Sequence, residues 1–140
     1  MWTVRRAVVG MALGAALSMG CSATGPSEIE VGTEFLLAPN QTVRISGTDL
    51  TIGFRRVVGD SRCPVDLLCV VEGSAGVELD VFGAAQAGPI VLESAAGLDR
   101  WSDGAYVIQL LGLQPSPTAE RQIPQDEYRV RLIVLPDDGG

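Results

Sequence analysis

The residues best equipped for chemistry fall between positions 60 and 72: Asp60, Arg62, Cys63, Asp66, Cys69 and Glu72. Cys63 and Cys69 stand six positions apart. On one extended strand their Cα atoms would be roughly 20 Å apart, whereas a disulfide needs about 5.5 Å. A bridge therefore requires the chain to fold back between Pro64 and Leu68. Closing seven residues in this way stabilises a domain by roughly 2.4 kcal/mol in the chain-entropy account. Four readings compete for the loop. It is a structural staple between two strands, or a binding loop held rigid and presented to a protein partner through Arg62 and Asp66. The third reading is a redox dithiol. The spacing is C-x5-C, not C-x-x-C, and the chain has no His or Lys to lower a thiol pKa. The fourth is a Ca²⁺ site on Asp60, Asp66 and Glu72, which lack the D-x-D-x-D-G spacing that aims oxygens at one point. The staple is the leading reading and the presented binding loop the second.

A second cluster is Leu98-Asp99-Arg100-Trp101-Ser102-Asp103-Gly104. Trp101 reads as a loop aromatic covering the margin of the fold, or, with Arg100, as a contact for a peptide or glycan. Asp99 and Asp103 have the residue types of a glycosidase pair. Such carboxylates come from separate segments set about 5 Å or about 6.5–9.5 Å apart, so two acids four apart in one loop are weak evidence.

The composition removes many other chemistries. The 140 residues include ten Arg, no Lys, no His and 17 Asp or Glu, for a net charge of −7. Lacking His, the chain cannot build a Ser-His-Asp triad or an imidazole metal site. Lacking Lys, it cannot form a Schiff base or a P-loop. An acidic chain with 5% aromatic residues lacks the basic face that phosphate binding needs, so no nucleic-acid partner is expected. Neither a metal nor another cofactor is expected. Apolar residues at 46% are enough for a packed core.

Arg5 and Arg6 precede an apolar run from Ala7 to Met19. Thirteen residues are too few to span a hydrocarbon core of about 30 Å. Charged, apolar and small segments in that order form a secretory signal. It ends Leu17-Ser18-Met19-Gly20-Cys21, which resembles the lipobox of bacterial lipoproteins, with Ser18 where Leu is preferred. The resemblance implies cleavage before Cys21 and its lipidation. The mature chain would then carry eight Arg against 17 acids, a net charge of −9. Anionic headgroups repel such a domain, so attachment to the membrane would come from acyl chains. Ser22 in place of Asp implies sorting to the outer membrane, facing the periplasm.

That exported, oxidising setting favours a Cys63–Cys69 disulfide. Asp60-Ser61-Arg62-Cys63-Pro64, four residues, Cys69 and then Gly73 resembles a group of small bacterial lipoproteins and exported proteins of unknown function. They share DSRCP-x4-C, and the looser likeness runs from Phe35 to Leu135. Val71 stands where that group has Trp. The resemblance implies an exported β domain and brings no activity with it.

The elements that must position these residues read as strands. Val77-Glu78-Leu79-Asp80-Val81 and Tyr128-Arg129-Val130-Arg131-Leu132 alternate with period two, as do Leu50, Ile52 and Phe54. Alternation of this kind buries one face and wets the other. Arg55 and Arg56 are adjacent, so the phase slips there. Burying Arg56 unpaired would be costly, which predicts a β-bulge with both guanidinium groups directed to solvent or partners. Further strands are predicted at 34–37, 41–45, 89–93 and 105–113, with a Pro-rich loop over 114–124 as a crossover between sheets. Residues 22–27 are small and polar and read as a tether. The expectation is an all-β protein, a seven-stranded antiparallel β-sandwich, Ig-like or small and barrel-like. Its parts would be a signal over 1–20, a lipidated Cys and flexible tether over 21–33, the sandwich over 34–136 and an acidic tail over 137–140. The functional expectation is a non-enzymatic envelope lipoprotein. The alternative is a binding or inhibitor module presenting loop 60–72 to an envelope protein.

Overall fold

Period-two alternation builds two sheets whose apolar faces meet. The computed structural model describes Gly20 and residues 25–139, so residues 1–19 of the expected signal and residues 21–24, Cys21 among them, lie outside the described residues, as does Gly140. Nine strands follow in order: β1 (Ser27–Glu30), β2 (Phe35–Leu37), β3 (Thr42–Ser46), β4 (Thr51–Asp60), β5 (Ala75–Phe82), β6 (Gly88–Glu93), β7 (Arg100–Ser102), β8 (Tyr106–Gln114) and β9 (Arg129–Pro136). One sheet has the order β1-β3-β4-β5-β6 and the other β2-β9-β8-β7. The molecule is an all-β sandwich.

Leu50, Ile52, Phe54, Val77, Leu79, Val81, Val130 and Leu132 are all buried, as the alternation predicts. They form one core with Val43, Ile45, Leu92, Ile108 and Val134. Each such side chain contributes about 1.5–3 kcal/mol by leaving water. Among the described residues no polar or charged residue is buried. The predicted bulge is present: Phe54 lies opposite Leu79 but Arg56 lies opposite Glu78, leaving Arg55 as the extra residue. Both guanidinium groups find acids on the wet face of β5. Arg55 meets Asp80 at 3.0 Å and Arg56 meets Glu78 at 2.6 Å. The Arg56 hydrogen bond holds the Glu78 carboxyl below its ordinary pKa.

The structure corrects the expected organisation in four places. Ser27–Glu30 lies in the stretch read as tether, yet forms β1 and pairs parallel with β3, so the sheets are not wholly antiparallel. Only Ile29 of β1 packs against the core, and one apolar residue shows no period. Arg100–Ser102, read as turn, forms β7 for a similar reason. The long strand β8 offers it a pairing edge, and Trp101 packs against the core. The Pro-rich segment joins β8 to β9, which are neighbours in one sheet, so it is a long hairpin connection and not a crossover. Finally, the acidic tail does not start free. Asp137 accepts a hydrogen bond from the Ser102 hydroxyl, and its N–H donates to Ala105.

Candidate functional site

β4 and β5 run on past Asp60 and Ala75 into the cysteine loop. The neck of this loop is Ser61 facing Ser74. The Ser61 N–H donates to the Ser74 carbonyl at 2.8 Å, and the Ser61 hydroxyl donates to the same oxygen at 2.9 Å. Gly73 sits so close to this neck that a Cβ would stand 1.6 Å from the Ser61 carbonyl oxygen. No other residue fits there without moving the backbone. Beyond the neck the chain turns at Pro64, whose carbonyl accepts from the Leu67 N–H at 3.1 Å. Cys63 and Cys69 are joined by a disulfide with Cα atoms 6.0 Å apart.

Arg62 ties this loop to the connection between β8 and β9. Its Nε and Nη2 donate to the two oxygens of Asp60 at 2.8 and 2.7 Å, a bidentate fork. Nη1 donates to the Leu113 carbonyl at 2.7 Å, and Nη2 also reaches the Pro115 carbonyl at 3.0 Å. Asp60 also accepts from the Arg62 backbone N–H at 3.3 Å and from the Tyr128 hydroxyl at 2.9 Å. The Arg62 hydrogen bonds hold the Asp60 carboxyl below its ordinary pKa; partial burial opposes them and the Tyr128 bond assists. Burial, followed by the bond to Asp60, pushes the Tyr128 hydroxyl up to about 12. Two further ties finish the junction. The Val65 N–H donates to Pro117 at 3.0 Å, and Asp66 accepts from the Ala119 N–H at 2.9 Å. Nearby, the side-chain amide of Gln125 brackets Val57 on β4, donating to its carbonyl at 2.9 Å and accepting from its N–H at 3.0 Å.

With Asp60 and Arg62 engaged at its neck, the loop presents mainly apolar side chains, beside the exposed Asp66 and Glu72. Leu68 and Val70 are each 104% exposed, and Val65, Leu67 and Val71 are more than half exposed. Five exposed apolar residues on one short loop are a departure from the usual surface, since single exposed apolar residues are ordinary and clusters are not. The staple and the ties fix the backbone beneath them, so little conformational freedom remains to be lost on contact.

The other candidates are placed elsewhere. Arg62 and Asp66, expected as partner contacts, are engaged by their own fold. Asp60, Asp66 and Glu72 do not converge, and among the described residues no group of three His, Cys, Asp or Glu could hold a metal ion. Trp101 lies opposite Ile108 on β8, roughly 15 Å along the strand from Leu113, and is not brought to the loop. Arg100 is exposed on the other face of β7. Asp103 accepts from the N–H groups of Ala105 and Tyr106 at 2.9 and 2.8 Å, and Asp99 accepts from the Gly97 N–H at 3.2 Å. Both acids are turn-forming residues here.

Leu67, Leu68 and Val70 carry no expectation from the sequence, and Val71 only a departure from the DSRCP-x4-C group. A signal was present. Leu67-Leu68-Cys69-Val70-Val71 is an apolar run between a closing Cys and a neck Gly, where it cannot form a ladder strand. Compared with known proteins, the chain matches no family model, no curated protein and no solved structure.

Proposed function

We propose that this protein is a non-enzymatic, lipid-anchored module of the bacterial cell envelope that presents the stapled loop as an apolar contact surface. The observation that carries this reading is the division of labour within the loop. Asp60, Ser61, Arg62, Cys63, Pro64, Cys69 and Gly73 each have a building role described above. The residues between and after the cysteines are the ones left facing water. A loop that served only as a staple would not need Leu68 and Val70 fully exposed. Support for the non-enzymatic part comes from one of the concavities beside the loop, of about 380 Å³. Its polar lining includes Asp60, Arg62 and Tyr128, which are satisfied by one another, so none of them stands as a poised base or nucleophile.

A photo-crosslinking side chain at position 68 in the full-length protein, expressed in its own envelope, tests the contact. Adducts should form from position 68 and not from Phe82, which is exposed at the far end of β5. Equal yields from the two positions would remove the contact surface.

A further inference from the structure

The strand register says where the loop points relative to the anchor. In the parallel pair, Ser27 of β1 is level with Val43 of β3, and Val43 is level with Ile52 of β4. From Ile52, β4 runs towards Asp60 and the loop. Because β1 is antiparallel to β4, the chain that enters at Ser27 comes from that same pole. On β5 the levels of Ile52 and Asp60 are marked by Val81 and Ala75. These are six residues apart, about 20 Å at the rise of a strand. Six residues also separate Cys21 from Ser27, and six residues span at most about 20–22 Å. A fully extended tether thus carries Cys21 no further than the neck at Asp60 and Ala75. The stapled tip lies beyond it.

We infer that the tip of the loop, Leu67, Leu68, Val70 and Val71, enters the headgroup–acyl boundary of the bilayer that holds Cys21. The inference rests on the reading of Cys21 as lipidated, and it specifies what the contact surface touches. With the sandwich upright on its anchor, the tether is too short to lift the loop clear of the lipid. The chemistry of the tip agrees. It offers only Val and Leu, and none of the Trp, Tyr or Arg that anchor protein interfaces. No basic residue lies on the loop beyond Arg62, whose guanidinium is occupied, so the attraction is apolar and not electrostatic. Asp66 turns back to Ala119, while the exposed Glu72 sits behind the tip, where headgroups and water can solvate it. Each apolar contact is individually weak. The acyl anchor supplies the high local concentration that makes weak insertion persistent.

The test places a Trp at the tip. The full-length, lipidated Leu68→Trp protein is reconstituted into phosphatidylcholine–phosphatidylethanolamine vesicles containing lipids with brominated acyl chains. Wild-type protein supplies the baseline from Trp101, and Phe82→Trp reports the opposite pole. Val70→Trp is a second tip probe, also at a fully exposed site that the fold does not need. Both tip variants should show blue-shifted emission that the bromines quench, unchanged on raising the salt, while Phe82→Trp is unquenched. If the protein floats with the vesicles and the tip Trp stays unquenched, the inference fails and the anchor stands. A tip that crosslinks in the envelope but is unquenched in vesicles would place a protein, not lipid, against it. If the wild-type protein fails to float with the vesicles, the anchor reading fails and the inference with it.

Discussion

Arg62→Ala is the substitution that most directly separates a building residue from a contact residue. The Arg62 guanidinium donates twice to Asp60 and once each to the carbonyls of Leu113 and Pro115. The side chains of Arg62 and Asp60 are only 15% and 13% exposed. Exposed pairs contribute under about 1 kcal/mol, and breaking a buried one costs about 3–5 kcal/mol. This pair is nearer the buried limit but keeps some water, so Arg62→Ala should cost about 2–4 kcal/mol. At roughly 4 °C per kcal/mol for a domain of this size, Tm should fall by about 8–16 °C. Arg62→Lys keeps the charge and loses the fork, and should cost about half as much. Adding Asp60→Asn to Arg62→Ala removes the stranded carboxylate and should recover part of the loss. Thermal unfolding of the full-length protein, followed by circular dichroism at neutral pH without reductant, measures all three. A fall under 2 °C for Arg62→Ala, or a larger loss in the double variant, would refute the reasoning.

Further expectations follow from the same geometry. Leu79→Ala opens the core and should cost about 2–5 kcal/mol, whereas Leu68→Ala should change stability by less than about 0.5 kcal/mol; denaturant titration separates them. Reduction of Cys63–Cys69, or Cys63→Ser with Cys69→Ser, should remove roughly 2.4 kcal/mol and raise proteolysis between Pro64 and Val71 first. In acid, the stability from the depressed Asp60 carboxyl is present above its unfolded value near 3.9 and is lost as pH falls through the folded value. In base, the stability from Tyr128 holds below pH of about 10 and is lost as pH rises from about 10 to about 12. Melting curves against pH should show the acid arm flattened in Arg62→Ala and the basic arm flattened in Tyr128→Phe. Cys21→Ser should move the protein from the detergent phase to the aqueous phase on detergent separation; wild-type protein in the aqueous phase would end the anchor reading.

The core was legible because Val77, Leu79, Val81, Val130 and Leu132 carry the strand period in their own sequence. The bulge was legible because Arg55 and Arg56 cannot both be accommodated on a regular strand with one buried face. β1 and β7 were not, since each is held by its neighbour and has one apolar residue turned inward. The disulfide followed from spacing and setting. The junction around it did not, because its ties join positions far apart in the chain: Arg62 to Leu113, Asp66 to Ala119, Asp60 to Tyr128. Residue type alone made Arg62 and Asp66 look like contacts. Their hydrogen bonds tie them to the fold, Asp66 stays exposed, and the apolar part of the surface belongs to the Val and Leu residues beside them.

The Gln125 amide has a second consequence. Beyond Gly53 no strand among the described residues pairs with the β3 side of β4. Val57 would offer that margin a bare N–H and C=O, which is how one protein recruits the strand of another. A primary amide carries the donor and the acceptor of a peptide group, so Gln125 acts there as a strand one residue long. It closes the margin without lengthening the sheet. Removing it should therefore cost solubility before it costs fold, through self-association that grows with concentration while isolated molecules keep nearly the same melting behaviour. High local density, where copies of the domain meet often, is the setting in which that guard matters most.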